Sequence, residues 1–163
     1  TSTGGATYSL IWTGDGRHLV SHHANSTVRA WRADTVVEAA TFGVVPYQSD
    51  AEAASPDGRW VAYPLADGSI VIRDCATWKE ARRLEGHPKG TMTVAFHPGC
   101  RVLVSAGVTG SLRFWDITSG RLLADRPVDL GTQARFGALG FPASGGGLVF
   151  AGPKGVHLFG PGK

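Results

Sequence analysis

Residues 112–116 read Leu112-Arg113-Phe114-Trp115-Asp116, and this pattern of alternating apolar residues with a terminal aromatic or arginine recurs along the chain. Its counterparts, at spacings of 42, 42 and 44 residues, are Val28-Arg29-Ala30-Trp31-Arg32, Ile70-Val71-Ile72-Arg73-Asp74 and Val156-His157-Leu158-Phe159-Gly160. A fixed period of this length indicates one small unit that is copied and stacked, because a unit of about 40 residues cannot bury its apolar faces alone.

Residues at equivalent positions of successive copies form a column, and two further columns repeat with the same period. They are Arg17, Arg59 and Arg101, and the prolines Pro56, Pro98 and Pro142. Alternation with period two predicts half-buried strands. Turn-forming pairs precede the repeated strand, namely Asn25-Ser26, Asp67-Gly68 and Thr109-Gly110. No window carries a helical apolar stripe with caps, so the sequence predicts an all-β chain built from antiparallel sheets.

The third copy resembles the WD-repeat family of β-propellers. It contains Gly86-His87, Ser105 and Trp115-Asp116 at the family's spacing, whereas the other copies keep only parts of this pattern. The resemblance covers nearly the whole chain and implies four consecutive propeller blades, over residues 6–43, 44–85, 86–128 and 129–160, that form an open arc of a larger propeller. It also implies a buried, hydrogen-bonded structural tetrad of His87, Ser105, Thr109 and Trp115, in which Thr109 replaces the family's Asp.

The sequence offers no convincing catalytic or metal-binding group. Ser105 and His87 superficially suggest a hydrolase, but buried polar groups need partners, and this set supplies them to each other. His22 and His23 are neighbours on an extended segment and point to opposite faces, with no third ligand nearby. Cys75 and Cys100 are too few for a disulfide framework or a zinc site. We therefore expect no cofactor, no metal and no enzymatic activity.

Composition limits the classes of partner. The chain has 163 residues, 42% of them hydrophobic and 18% charged, which suits one domain with a substantial core. A net charge of +3 is spread over all the copies, and only Lys79, Arg82 and Arg83 form a patch. Because no stacking aromatic residues accompany that patch, we favour a solvated outer strand over nucleic-acid binding. No apolar run is long enough to span a membrane.

The ends of the chain generate a further expectation. Residues 6–12 already form the first strand of a blade, and the fourth copy stops at its third strand. We therefore expect the missing N-terminal blades of the same parent chain, or self-association of two arcs, to complete the ring. The chain begins with Thr1, which indicates an excerpt, and the absence of an export signal with few cysteines predicts a cytoplasmic location.

A propeller presents loops at two rims, which suits the binding of a protein or peptide partner. One rim gathers the connections between copies and the hairpins before each third strand, and its candidate binding residues are Tyr47, Gln48, His87, Lys89, Gln133, His22, His23, Asp67 and Lys154. We predict a protein-protein interaction scaffold. The alternatives are a regulatory or sensor propeller attached to an upstream catalytic domain such as a kinase, and a ligand-binding or enzymatic propeller.

Overall fold

The computed structural model of the chain describes residues 6–43, 51–88, 90–129, 137–152 and 154–160. These residues form fifteen strands in four antiparallel sheets. Sheet 1 contains β1 (Thr7–Trp12), β2 (His18–His23), β3 (Thr27–Arg32) and β4 (Glu38–Gly43); sheet 2 contains β5 (Ala53–Ala54), β6 (Trp60–Pro64), β7 (Ile70–Asp74) and β8 (Glu80–Leu84). Sheet 3 contains β9 (Thr91–Phe96), β10 (Val102–Gly107), β11 (Ser111–Asp116) and β12 (Leu122–Pro127), and sheet 4 contains β13 (Ala138–Gly140), β14 (Leu148–Gly152) and β15 (Gly155–Phe159).

Within each sheet, neighbouring strands lie in the order in which they occur in the chain. The innermost strands β1, β5, β9 and β13 lie next to one another in succession, so the sheets are arranged as consecutive propeller blades. The predicted all-β fold with four blades is confirmed, and the described residues contain no helix.

The repeated columns occupy equivalent places. Trp31, Arg73, Trp115 and Phe159 each pair with a residue near the start of the preceding strand, respectively Leu19, Val61, Leu103 and Leu148. The three column arginines each directly precede the second strand of their sheet. Their carbonyl oxygens accept equivalent backbone hydrogen bonds, Arg17 from Ala33 at 2.9 Å, Arg59 from Cys75 at 2.9 Å and Arg101 from Ile117 at 3.0 Å.

Three apolar clusters hold consecutive sheets together. Val20, Val28, Ala30 and Phe42 of sheet 1 pack with Val61, Tyr63 and Val71 of sheet 2. Ile70, Ile72 and Leu84 of sheet 2 pack with Val94, Phe96, Leu103 and Trp115 of sheet 3, and Val104, Ala106 and Leu112 of sheet 3 pack with Leu148 and Phe150 of sheet 4. Among the described residues, no such cluster joins sheet 4 to sheet 1, as a closed ring of four blades would require.

The backbone conformation of the turns repeats along the chain, as the strands do. Left-handed backbone conformations, with positive φ, recur every 42 residues at three places: Gly16, Gly58 and Cys100; Ser26, Gly68 and Gly110; and Val36, Trp78 and Gly120. In the last group, which joins the third and fourth strands, only the third copy has glycine. Val36 and Trp78 adopt a conformation that is sterically unfavourable for a side chain with a Cβ.

We therefore predict that Val36→Gly stabilises the protein. Val36 is exposed and has a φ of 54°, so glycine removes the backbone strain without the loss of a buried side chain. We expect the free energy of unfolding to rise by about 0.5 to 1 kcal/mol in urea titrations.

Val37→Gly is the matched control, because Val37 is also exposed but has no positive φ. That substitution should lower the stability by about 0.5 kcal/mol through the greater entropy of the unfolded chain. Equal effects of the two substitutions would contradict the strain at Val36.

Candidate functional site

A buried polar network lies between sheet 2 and sheet 3. His87 Nε2 lies 2.9 Å from Ser105 Oγ, and the Trp115 indole Nε1–H donates to the same hydroxyl at 2.9 Å. His87 and Ser105 have no exposed surface, and Trp115 is buried. The predicted association of these three residues is therefore present.

Thr109, however, is not the fourth member of this network. It is exposed in the hairpin between β10 and β11, whereas Ser111 Oγ lies 3.0 Å from His87 Nδ1. The turn residue explains the difference. In the first two sheets Thr27 and Ser69, which correspond to Ser111, donate to Asn25 and Asp67 in the turn at 2.6 Å. Thr109 replaces these acceptors in sheet 3, and the hydroxyl of Ser111 contacts the imidazole instead.

Burial keeps this imidazole neutral. Desolvation, reinforced by the nearby positive charge of Arg113, lowers the pKa of His87 from its ordinary value of 6.5 to about 4. Arg113 is held in place by Asp125, at 2.8 Å from its Nε, and by the carbonyl of Gly86. The network therefore has no carboxylate at the histidine and no solvent access to Ser105 Oγ, both of which a Ser-His-Asp hydrolase needs.

Sheet 1 builds the same network with a histidine from another position. Trp31 Nε1–H donates to Ser21 Oγ at 2.8 Å, and that hydroxyl lies 2.8 Å from His23 Nε2. His23 pairs with Thr7 across the sheet as Gly107 pairs with Thr91 in sheet 3. A Cβ on Gly107 would lie 2.3 Å from His87 Nδ1. The imidazole thus comes from the strand in sheet 1, and from the preceding segment in sheet 3, where glycine leaves room for it.

Sheet 2 uses a cation in place of the tryptophan. Arg73 Nε donates to Tyr63 Oη at 2.7 Å, and its guanidinium carbon lies 4.3 Å from the centroid of the Phe42 ring in sheet 1. Desolvation raises the pKa of the buried Tyr63 phenol, so it stays a neutral hydrogen-bonding group. This cation-π contact links the two sheets at the place where Trp115 links sheet 3 to sheet 2.

The structure contains a buried pair of an acidic residue and a histidine that the sequence did not predict. Glu52 Oε1 lies 2.9 Å from His22 Nδ1, and Glu52 Oε2 accepts a hydrogen bond from Ser9 Oγ at 2.7 Å. Both side chains are almost fully buried, at 1% and 2% exposed, between sheet 1 and sheet 2. Glu52 occupies the same repeat position as Leu10 and Val94, each 42 residues away. The repeat pattern therefore did not indicate a carboxylate at this position.

The predicted rim is only partly formed from accessible residues. We call it the connection edge, made of the described residues 24–26, 66–69, 108–110 and 154 in the hairpins, with residues 85–88 between sheet 2 and sheet 3. Asp67 and Lys154 are exposed there, and Lys154 Nζ lies 2.6 Å from Asp129. His22, His23 and His87 are buried in the contacts described above, so they cannot meet a partner. Tyr47, Gln48, Lys89 and Gln133 lie outside the described residues.

The opposite rim, the turn edge, comprises the hairpins at residues 13–17, 33–37, 55–59, 75–79, 97–101 and 117–121. Adjacent hairpins are in backbone contact: a Cβ on Gly14 would lie 2.2 Å from the carbonyl oxygen of Pro56. Arg17, Arg59 and Arg101 are all exposed along this edge. It is therefore a rigid surface with a cation at the same position of three successive sheets.

A groove of about 360 Å³ opens on the turn edge between sheet 2 and sheet 3, and its lining includes Asp57, Arg59, Trp60, Arg82, Cys100 and Arg101. The Arg59 guanidinium stacks over the Trp60 ring, 4.5 Å from its centroid. Arg82 donates to the carbonyl of Thr118 at 2.9 and 3.2 Å. Within the described ranges, no carboxylate oxygen lies within 4 Å of Arg59 or Arg101.

The remaining candidates carry no site. The described part of the chain contains no group of three or more His, Cys, Asp or Glu residues that could hold a metal ion, and no helix long and apolar enough to cross a membrane. Cys75 and Cys100 are free thiols, and burial raises the pKa of Cys75 to about 12, so it is not a reactive thiolate. The predicted basic patch is engaged in local contacts: Arg83 pairs with Glu80 at 3.0 Å, and Arg82 binds Thr118.

We predict that His87 makes stability depend on pH. Its pKa is near 6.5 in the unfolded chain and about 4 in the folded one, so the unfolded state binds more protons between these values. The free energy of unfolding should therefore fall as the pH drops from about 6.5 to about 4, by at most about 1.4 kcal/mol per pH unit. Urea unfolding at pH 7, 6, 5 and 4.5 measures this slope.

His87→Gln is the control, because glutamine keeps hydrogen-bonding capacity without titrating. Burial also lowers the pKa of His23, so both proteins retain that contribution, and the difference between their pH profiles isolates His87. Parallel profiles would contradict a neutral, buried His87.

A second prediction tests the exchangeable position of the histidine. His87→Ala and Gly107→His should each destabilise the protein by about 1 to 3 kcal/mol, the first by leaving polar partners unpaired and the second by overpacking. The double variant reproduces the arrangement of sheet 1 and should be more stable than the sum of the single effects by at least about 1 kcal/mol. A double-mutant cycle in urea gives this coupling, and strictly additive effects would contradict it.

Comparison with known proteins agrees with this architecture. The family model described as WD domain, G-beta repeat matches residues 78–116. Angio-associated migratory cell protein of Homo sapiens is 30% identical over 125 residues, which are 72% of this chain and 28% of that protein. An uncharacterized WD repeat-containing protein of Synechocystis sp. is 31% identical over 130 residues, 76% of this chain and 35% of that protein.

Transcription factor unc-37 of Caenorhabditis elegans is 29% identical over 110 residues, 68% of this chain and 18% of that protein. The chain thus matches well under two thirds of the length of these curated relatives. The matched repeat contains the buried Trp115 network, and the other sheets repeat its strand plan with variations. Together these findings identify the chain as a member of the WD-repeat β-propeller family.

Proposed function

We propose that this chain is a non-catalytic protein-interaction module that binds an acidic segment of a partner protein on its turn edge. WD-repeat propellers generally serve as protein-interaction scaffolds. The observation that carries the proposal is the pair of exposed guanidinium groups, Arg59 and Arg101, at the groove between sheet 2 and sheet 3. Neither has a partner carboxylate among the described residues, so both can bind one from outside.

Rigidity supports recognition at this place. The hairpins that carry the two arginines are each held by a backbone hydrogen bond from the residue after the third strand, and the Arg59 hairpin also packs backbone against backbone on the Gly14 hairpin of sheet 1. A preorganised guanidinium loses little entropy when it binds a carboxylate, and its planar fork favours bidentate hydrogen bonds. Stacking of Arg59 on Trp60 further restricts its side chain.

The surroundings favour an acidic peptide over nucleic acid. Asp57 lines the same groove, and Asp15, Asp34 and Asp116 lie on the same edge, so the surface is not a continuous basic stripe. The Trp60 ring is covered on one side by Arg59 and provides no free platform for stacked bases. Binding of phosphates in a row would bring them against these carboxylates.

Among the described residues, neither edge supports catalysis. Ser105 and His87 are sealed between sheet 2 and sheet 3, and the partner of the imidazole Nδ1 is a serine hydroxyl. We therefore expect the purified chain to show no esterase or peptidase activity. Activity that is lost in Ser105→Ala, with the fold retained, would overturn this part of the proposal.

The test of the binding face uses a fluorescent ten-residue peptide of alternating Asp and Val, with an Asn-Val peptide of the same length as reference. The chain should bind the acidic peptide at least ten-fold more tightly in fluorescence anisotropy. Arg59→Ala combined with Arg101→Ala should weaken this binding by at least ten-fold, because two charge-assisted contacts are lost.

Arg126→Ala combined with Lys154→Ala is the matched control, since it removes the same charge from exposed positions away from the turn edge and should change the affinity less than two-fold. Equal losses in the two double variants, or tighter binding of a single-stranded oligonucleotide than of the acidic peptide, would overturn the proposed face.

A further inference from the structure

Two equivalent grooves lie along the turn edge, one on each side of sheet 2. Groove 2 is the one described above, between sheet 2 and sheet 3. Groove 1 lies between sheet 1 and sheet 2, and its volume is about 770 Å³, against about 360 Å³ for groove 2. The lining of groove 1 includes Arg17, His18, Ala33, Ala39, Ala76 and Trp78.

Groove 1 lacks the side chain that crosses groove 2. Arg82 extends from sheet 2 to the Thr118 carbonyl of sheet 3, to which it donates at 2.9 and 3.2 Å. The same repeat position in sheet 1 holds Ala40, which is too short to cross a groove. The exposed residues on the walls of groove 1 are also small, namely Ala33, Ala39 and Ala76. Groove 1 is therefore an open recess with small apolar walls.

An aromatic side chain forms a further wall of this recess. The half-buried Trp78 ring stacks on Phe42 of sheet 1, with the ring centroids 6.1 Å apart, and it meets the His18 ring edge to face at 5.1 Å. The remaining surface of Trp78 lines groove 1. Aromatic rings favour offset and edge-to-face contacts with other rings, so this wall suits an incoming aromatic side chain.

The column arginine of groove 1 has no ring of its own chain to stack on. In groove 2 the Arg59 guanidinium stacks over Trp60, whereas the same position in sheet 1 is His18, which contacts Trp78. Among the described residues, the Arg17 guanidinium lies over no aromatic ring, and its side chain is 81% exposed. A cation beside an open recess favours an aromatic ring supplied by another molecule.

The charges around groove 1 favour a neutral ring over another carboxylate. Arg32 pairs with Asp34 at 2.9 Å, and Asp15 lies 3.8 Å from the Arg17 side chain. A carboxylate in groove 1 would be repelled by these two aspartates, whereas an uncharged ring is attracted by the cation alone. The same aspartates disfavour a nucleotide, whose ring carries a phosphate with it.

We propose that groove 1 binds an aromatic side chain of the partner's acidic segment. The ring lies between Trp78 and the Arg17 guanidinium, while the carboxylates of the same segment bind Arg59 and Arg101 in groove 2. This assignment rests on the proposed function, and it adds an aromatic residue to the chemistry of the partner.

One short segment reaches both grooves. The hairpin at residues 13–17 is in contact with the hairpin at residues 55–59, where a Cβ on Gly14 would lie 2.2 Å from the carbonyl oxygen of Pro56. Packed sheets lie about 10 Å apart, a distance that about three extended residues span. An aromatic residue a few positions from the acidic residues therefore fits this spacing.

Fluorescence anisotropy tests the proposal with two derivatives of the ten-residue peptide of alternating Asp and Val. In one derivative both outermost valines are replaced by phenylalanine, and in the other by leucine. The phenylalanine peptide should bind at least about five-fold more tightly than the leucine peptide, because only its ring gains from Trp78 and Arg17. Equal affinities of the two peptides, both weakened by Arg59→Ala with Arg101→Ala, would overturn the aromatic site and leave the proposed function standing.

Two variants locate this preference in groove 1. Ala39→Leu narrows the groove, and Arg17→Gln removes the cation, so each should lower the five-fold preference below about two-fold. Leucine already occupies the equivalent position in sheet 3, at Leu123, so the fold accommodates it. The matched controls are Ala24→Leu and Arg126→Gln, at exposed positions away from the turn edge, and they should leave the preference unchanged. A preference that survives both groove variants would overturn the proposal.

Nuclear magnetic resonance provides a measurement that needs no acidic peptide. N-acetylphenylalaninamide at millimolar concentration should shift the amide signals of Arg17, Ala39 and Trp78 more than N-acetylleucinamide does. These shifts without any binding of the acidic peptides would support the aromatic site and overturn the proposed function. No difference between the two compounds would overturn the aromatic site. Larger shifts with adenosine would overturn it in favour of a nucleobase.

Discussion

Burial of the apolar faces between consecutive sheets is the constraint on which this structure depends. A three- or four-stranded sheet of about 30 residues has two apolar faces, and each is covered only by a neighbouring sheet. Val94 and Phe96 are buried against Ile70 and Ile72. Leu148 and Phe150 are buried against Leu112 and Val104. The strand plan, the hairpins and the spacing of 42 residues all serve to present these faces in register. Stability is therefore a property of interfaces between repeats more than of any single repeat.

Within that constraint, the polar groups between sheets vary freely as long as each is satisfied. Trp115, Ser105 and His87 form one solution, and Trp31, Ser21 and His23 form another in which the imidazole comes from the strand. Arg73 reaches Tyr63 and the Phe42 ring in sheet 2. A buried polar group costs free energy only when it lacks a partner, so different residues can fill this layer without a change of fold. Degenerate repeats are the expected outcome.

The same reasoning explains which features were predictable from the sequence. Strands, hairpins and the column of Trp31, Arg73, Trp115 and Phe159 follow from period-two alternation and a fixed repeat, both of which are local signals. Thr109 was predicted as the fourth member of the tetrad with His87, but Ser111 contacts the imidazole instead, because its hydroxyl is free to do so once the turn lacks an acceptor. Glu52 was missed because its partners, Ser9 and His22, belong to another sheet.

Candidate functional residues were harder to predict than the fold for a physical reason. In the sequence, His22, His23 and His87 lie at loop and strand-end positions that suggest exposed side chains. In the structure they are buried between sheets, away from solvent. Arg59 and Arg101 look like ordinary surface charges, and only the packing of sheet 2 on sheet 3 brings both to one groove. A repeat that keeps its cations at the turn edge and its histidines inside separates the proposed binding surface from the layer that stabilises the fold. Because the turn edge contributes few residues to the apolar clusters, its side chains can change between proteins of this architecture at little cost in folding free energy, and recognition can diverge while the blades stay the same.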